Sequence, residues 1–335
     1  MQRVESVDLM KGIAILLVVL GHAIGAVTSS HTITDIPESF FISNGVIYSF
    51  HMPVFFLIAG LFIEKWTRQG WKEAFKKKIY RLAVPYFAWG FLMAVYKQAG
   101  SAYANSQEGI YTFLLSPFVP WNIFWFLYVL LFIQIIYYGF VKCLGDYRKG
   151  RFVFLIVSAI IFFASVYLPD VWIIHRLFRF MIFFSIGTFS FDILAKFEKN
   201  MSYGKLIMIL AVFVLASFIY VVDYRGHTVF HSWFFLVTGL AGTILVAAFS
   251  WILMKRHNGI SNFFRSCGEK SMEIYVSHAF VIGFFRVFFL KVVKLELLWP
   301  RTILIFILSA ITCYLVWNKV NDKNRVYKFM FGIKG

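Results

Sequence analysis

Residues 8–27 read DLMKGIAILLVVLGHAIGAV. The only formal charges here, Asp8 and Lys11, lie at the start, and His22 is the single ionisable group beyond them. A run of about 20 apolar residues is what a helix needs to cross a hydrocarbon core. Comparable runs recur, and the pattern predicts spans at 9–27, 40–63, 79–97, 122–142, 152–169, 172–191, 205–222, 232–254, 272–290 and 299–318. The runs are continuous rather than alternating, which excludes a transmembrane β-barrel. The expectation is an all-α polytopic membrane protein, with one integral-membrane domain over residues 1–335 and a short basic tail at 319–335.

Composition agrees. A chain of 335 residues that is 60% hydrophobic and 15% charged, with mean hydropathy +0.75, does not fit a pair of soluble domains, a disordered chain or a collagen. The net charge of +17 raises nucleic acid as a partner, and its distribution answers the question. With the N-terminus placed in the cytoplasm, 25 of the 33 Lys and Arg fall on the inner side and eight on the outer. The positive-inside tendency therefore places both termini inside and explains most of the charge, with no nucleic acid involved. The first helix opens on mixed charges (Arg3, Glu5, Asp8, Lys11) and is read as retained, not as a signal peptide. Cys143 and Cys267 fall at inner helix ends and Cys313 within the last span, so no disulfide is expected. The outer segment 98–121, with Ser101, Asn105, Ser106 and Gln107, suits either a solvated linker or a loop facing an extracytoplasmic ligand.

Ionisable groups at membrane depth are costly, so the exceptions carry information. Three are histidines: His22, His51 and His278. His22 follows Lys11 by eleven residues, about 16 Å deeper and on the same helix face. His51 lies about 18 Å above the inner end of the next, antiparallel span, so the two imidazoles arrive at one depth. A neutral imidazole is suited to taking a proton from a hydroxyl; the alternative role is interhelical packing. None of the 16 Asp and Glu falls in the middle of a predicted span, which argues against a carboxylate-supported triad. The orienting partner of His22 stays open among His51, Ser49, Asn44 and a backbone carbonyl. Two membrane histidines without Cys or acid companions fall short of a usual metal set, so no metal is expected.

Seven cations, Lys65, Arg68, Lys72, Lys76, Lys77, Lys78 and Arg81, crowd the inner loop ahead of Pro85. They fit the phosphates of an anionic cofactor, with topology and anionic membrane lipid as competing explanations. No Walker or dinucleotide glycine motif is present. At the outer side, His175 and Arg179 lie one turn apart beside Arg176, placed to hold glycan carboxylates or hydroxyls or to snorkel to the interface.

Together these residues resemble a known pattern. The run from Asp8 through Lys11 to Gly21-His22 is similar to the first-helix signature of the acyltransferase family 3 membrane proteins. Phe50-His51-Met-Pro-Val-Phe-Phe-Leu-Ile-Ala-Gly60, Lys78-Ile-Tyr-Arg81-Leu-Ala-Val-Pro85, Phe124-Trp125-Phe-Leu127 and Ser271-Met-Glu-Ile-Tyr275-Val-Ser-His278 resemble its later segments. Two departures stand out: Lys11 replaces the commoner Arg, and Ala59 stands where Ser is frequent. The Lys variant and the Gly21-His22 ending look closest to the fucose 4-O-acetylase-like branch. No hydrolase-like domain is expected beside the membrane module.

The resemblance implies transfer of an acyl group, usually acetyl, from cytosolic acyl-CoA (acetyl-CoA) to a hydroxyl of an envelope glycan or sugar acceptor, at a bacterial inner membrane. It implies His22 as general base with His51 in support, and Lys11, Lys78 and Arg81 on CoA. Trp125, His175, Arg179 and His278 are expected on the acceptor, and Asp8, one turn before Lys11, is expected to hold that ammonium. Direct attack is favoured over an acyl-enzyme, because no Cys or paired Ser-His lies at the right depth. Homo-oligomers are compatible with the pattern. The rival class is a transporter or flippase for a glycan or lipid-linked sugar, which also needs midplane polar residues; a third reading is a structural subunit of a polysaccharide synthase.

Overall fold

The computed structural model describes residues 4–29, 35–100, 109–168, 172–224, 229–320 and 324–333. Ser101, Asn105, Ser106 and Gln107 of the outer segment, Arg225, and residues 321–323 and 334–335 of the tail lie outside the described residues.

The described residues form helices and no strands. In chain order these are α1 (Glu5–Thr28), α2 (Glu38–Leu61), the short α3 (Glu64–Thr67), α4 (Trp71–Lys78), α5 (Val84–Ala99), α6 (Ile110–Leu114), α7 (Trp125–Cys143) and α8 (Tyr147–Ala164). Then follow α9 (Trp172–Gly187), α10 (Phe191–Lys199), α11 (Tyr203–Tyr224), α12 (Val229–Arg256), α13 (Gly259–Glu269), α14 (Ser271–Val287), α15 (Leu298–Lys319) and α16 (Arg325–Met330). Among the described residues nine helices are long and apolar enough to cross a membrane, and a bent pair raises the number to ten. This is a multi-pass membrane protein. The bundle end that holds Glu5 is the N-terminal face; the other is the opposite face.

The bent pair is where the expected sixth span, 172–191, differs from the structure. Residues Ile173–Gly187 and Phe191–Lys199 meet at 62°. At the bend the Thr188 hydroxyl donates to the Ser185 carbonyl at 2.7 Å and the Ser190 hydroxyl to that of Ile186 at 2.8 Å. These bonds compete with the helical ladder. The Arg151 guanidinium then donates to the Thr188 carbonyl at 3.4 Å, a charge suited to a helix C-terminus.

α1 is the central helix and packs against α2, α12, α13, α14 and α15. Its approach to α13 is backbone to backbone. A Cβ on Gly12 would fall 1.9 Å from the Phe264 carbonyl oxygen, and one on Gly268 would fall 1.7 Å from that of Asp8; only glycine allows this seam. At the rim of the bundle, α11 leaves Ile207, Met208, Val214, Leu215 and Phe218 exposed, as a helix facing lipid does.

Two π turns interrupt spans. One, Ile79–Ala83, joins α4 to α5. Pro85 lacks the amide that would bond four residues back and its ring crowds that carbonyl, so the helix widens ahead of it. The other, Phe288–Val292, ends α14 at the opposite face. At the N-terminal face the chain folds back: α16 lies against α5, with Tyr327 and Phe331 buried.

Candidate functional site

The three midspan histidines converge. His22 on α1 and His278 on α14 have ring centroids 5.0 Å apart. Tyr48 on α2 stands edge-on between His22, at 6.1 Å, and His51, at 4.8 Å. The Nδ1 of His51 lies 2.6 Å from the Ile47 carbonyl oxygen, and that of His278 lies 2.6 Å from the Tyr275 carbonyl and 3.1 Å from that of Ile274. A carbonyl only accepts, so each Nδ1 carries a proton and donates it, which leaves each Nε2 on the far side of its ring. The Nε2 of His278 is buried and has no hydrogen-bond partner among the described residues. Such an atom is expensive to keep unless a ligand hydroxyl visits it.

His22 is on the wall of a cavity of about 690 Å³ that extends between α1, α5 and α14 toward the opposite face. Gly25, one turn above His22, Tyr96, Lys97, Asn122 and Arg286 also line it. A crevice of about 80 Å³, lined by Met52, Phe55, Phe126, Met272 and Tyr275, lies toward the N-terminal face. A third cavity, about 560 Å³, sits among α2, α10, α11 and α12 and is lined mostly by apolar side chains, with Ser190, Asn200, Thr243, Lys196 and Lys205; among the described residues no histidine lines it.

The remaining expected site residues divide into those near the cluster and those away from it. Trp125 carries the Arg176 guanidinium over its ring at 4.4 Å. Arg179 turns elsewhere, with its guanidinium 3.6 Å from the Phe235 ring centroid and 3.4 Å from the Tyr220 hydroxyl. His175 approaches the Leu168 carbonyl at 3.4 Å. Asp8 holds Lys11 in an ion pair of 3.0 Å at the N-terminal face. Lys78 lies over the Trp66 ring at 5.1 Å, and Arg81 donates to the Phe331 carbonyl at 3.1 Å. Trp89 donates to the Met330 carbonyl at 3.1 Å. Residue 273 adds a buried acid at the same face: Glu273 accepts from the Tyr327 hydroxyl and lies 3.6 Å from the Lys270 ammonium.

Of the partners open for His22, Ser49 is spent on the Val46 carbonyl at 2.7 Å. Its ring neighbours are Tyr48 and His278, neither of which sequence reasoning had placed there. His51 and Tyr48 share a helix three residues apart, so the tyrosine was within reach of a periodicity argument; His278, 256 residues from His22 in a different span, was not. Among the described residues no group of three or more His, Cys, Asp or Glu is placed to hold a metal ion.

A family model described as an acyltransferase domain matches residues 4–318. No curated protein and no solved structure matches the chain.

Proposed function

The chain belongs to this acyltransferase family, and on that premise we propose that it transfers an acyl group, acetyl foremost, from acyl-CoA to a hydroxyl of a cell-envelope glycan. The charge asymmetry of 25 to eight supports a topology with the N-terminal face in the cytosol of a bacterial inner membrane. The donor then arrives from that face and the glycan enters the large cavity from outside. The observation that carries the reading is His22 on the wall of that cavity with the His278 ring 5.0 Å behind it and Tyr48 linking it to His51.

A ring nitrogen of His22 accepts the proton of a glycan hydroxyl as its oxygen attacks the thioester carbonyl. The carbon–sulfur bond breaks, the imidazolium returns the proton to the departing CoA sulfur, and a glycan ester remains. The Nε2 atoms of His51 and His278 accept from other hydroxyls of the same sugar and so orient it, and exclusion of water at this depth strengthens each polar contact. Trp125, with Arg176 on its face, borders the acceptor, with His175 and Arg179 further out. Lys11, Lys78 and Arg81 bind the CoA phosphates at the N-terminal face; there Arg81 exchanges its bond to Phe331 for a phosphate oxygen. On the resemblance carried by Lys11 and Gly21-His22 we place the chain in the fucose 4-O-acetylase-like branch.

Purified protein supplied with radiolabelled acetyl-CoA and an envelope glycan fraction should label the glycan. His22→Gln should lower the rate by about 10²–10⁴-fold with the protein still monodisperse. A well-behaved His22→Gln protein that keeps more than a tenth of the rate removes His22 from the chemistry.

A further inference from the structure

The third cavity belongs to neither approach to the histidines and lies beside the break in the sixth span. After Gly187 the chain turns by 62° into α10, and α10 presents one face to a space of about 560 Å³: Ser190, Ile193, Leu194 and Phe197 recur at the three- and four-residue spacing of a helix stripe and all line it. Leu57, Ile209 and Ala247 face them across it. Met208 and Ile244 also line it and are themselves exposed, so this is a groove that opens sideways to lipid. Two cations share it, Lys196 on α10 and Lys205 at the start of α11. The Lys205 ammonium donates to the Asn200 carbonyl at 2.6 Å, which fixes its head beside the end of α10 and uses one of its three donors. The other charged residues of α10, Asp192, Glu198 and Lys199, do not line the groove. Thr243, its deepest residue on α12, precedes Arg256 by 13 residues, about 20 Å along the helix. The groove therefore joins a mouth with two lysines at the N-terminal face to an apolar end near the middle of a hydrocarbon core about 30 Å thick.

We propose that this groove is a binding site for one phospholipid of the leaflet at the N-terminal face, with an acyl chain along α11 and α12 and an anionic headgroup at Lys196 and Lys205. The proposal does not rest on the acyl-transfer reading. The apolar walls and the depth suit a chain, and the lysine ammonium, a point charge with several donors, suits a phosphate oxygen. The volume lies within the range of small-ligand sites, about 300–1,000 Å³. The open side lets the occupant arrive by lateral diffusion within the leaflet, a route available to a lipid. Once bound, the lipid ties α10, which the break separates from the direction of α9, to α11 and α12.

Full-length protein in a neutral detergent is titrated with dioleoylphosphatidylglycerol and, separately, with dioleoylphosphatidylcholine, and lipid-bound masses are followed by native mass spectrometry. The first equivalent of phosphatidylglycerol should bind at least about fivefold more tightly than that of phosphatidylcholine. Lys196→Gln/Lys205→Gln should remove most of this preference, whereas the same loss of charge elsewhere on this face, in Lys65→Gln/Lys72→Gln, should preserve it. Ile244→Trp, at a position exposed enough to accept the larger ring, fills the groove from its open side and should weaken the first equivalent of either lipid. Glycerol phosphate, which has the phosphate without the chains, should not displace the lipid. A smaller difference between the two lipids overturns the site, as does a loss of preference in the Lys65/Lys72 protein as great as in the Lys196/Lys205 protein, an Ile244→Trp protein that binds as well as wild type, or displacement by glycerol phosphate. A dimer that no longer takes up phosphatidylglycerol would assign the groove to a second copy and overturn it equally. If the Lys196/Lys205 protein does not fold, Ile244→Trp and the glycerol phosphate competition keep the test decisive.

Discussion

The two approaches to the histidine cluster are built differently. Toward the opposite face a cavity of about 690 Å³ reaches His22; toward the N-terminal face the adjoining crevice is about 80 Å³. The wide side has a glycine wall at Gly25 and is lined by Lys97 and Arg286 as well. The narrow side is filled by Met52, Met272 and aromatic rings, and below it the Gly12–Gly268 seam and the folded-back α16 close the bundle. The wide side has room for a ligand as it stands, whereas the narrow crevice admits one only if side chains move. Methionine, unbranched and adaptable, is suited to such movement. In the proposed reaction this makes the acceptor pocket permanent and the donor route transient, which limits leakage of a reactive thioester to water.

Substitutions on each side should affect one substrate and spare the other. The largest difference is expected at Gly25→Phe, which fills the wide cavity: the acceptor KM should rise about tenfold with the acyl-CoA KM within about twofold, as steady-state kinetics with each substrate varied would show. Equal increases in both constants would mean that donor and acceptor share one entrance. Next is Phe331→Ala, which loosens α16 where its carbonyls occupy Arg81 and Trp89. The acyl-CoA KM should fall about threefold, accompanied by a lower melting temperature because a fully buried ring is lost. A rise in that KM would show that α16 forms part of the donor site and does not cover it. Met272→Ala, which enlarges the crevice, should raise kcat/KM about twofold for acetyl-CoA, and more for longer acyl chains, without altering acceptor constants.

The smallest effect is expected at Asp146, distant from both approaches. Its carboxylate caps α8 by accepting from the amides of Arg148 and Lys149 at 2.6 and 3.0 Å, and the Lys149 and Arg148 amides hold its carboxyl below the ordinary carboxylate range. A lowered folded-state pKa stabilises the protein above the ordinary range, and the contribution is lost as pH falls through the lowered value. Asp146→Ala should leave every kinetic constant unchanged and reduce thermal stability at neutral pH, with the difference from wild type vanishing in acid. A kinetic change would reveal coupling between α8 and the site.

Much of this architecture was legible in the sequence because hydrocarbon imposes a length and a composition on each crossing. Where a span departs from that rule the signal failed. The break at Thr188–Ser190 coincides with hydroxyls folding back onto carbonyls, which hydropathy does not register, and the amphipathic α10 and α13 were hidden among loop charges. The eleven-residue spacing of Lys11 and His22 was readable because both lie on one helix. The nearness of His278 to His22 and of Arg176 to Trp125 arises from packing between spans, and in a chain with 42 Phe and 17 Tyr no periodicity selects the aromatic that faces inward. Lys97 and Arg286 were equally concealed, since cations at span ends look alike until a cavity is seen between them.

The most direct test places the two substrates on opposite sides of a membrane. Protein reconstituted in one orientation in sealed vesicles is given radiolabelled acetyl-CoA only at its N-terminal face and an envelope glycan fraction only at its opposite face. Acyl transfer at a midspan His22 predicts that label appears on the glycan across the membrane, and that His22→Gln vesicles of equal protein content yield none above background. Label that appears only when both substrates share one side, or that persists undiminished in His22→Gln, would contradict it.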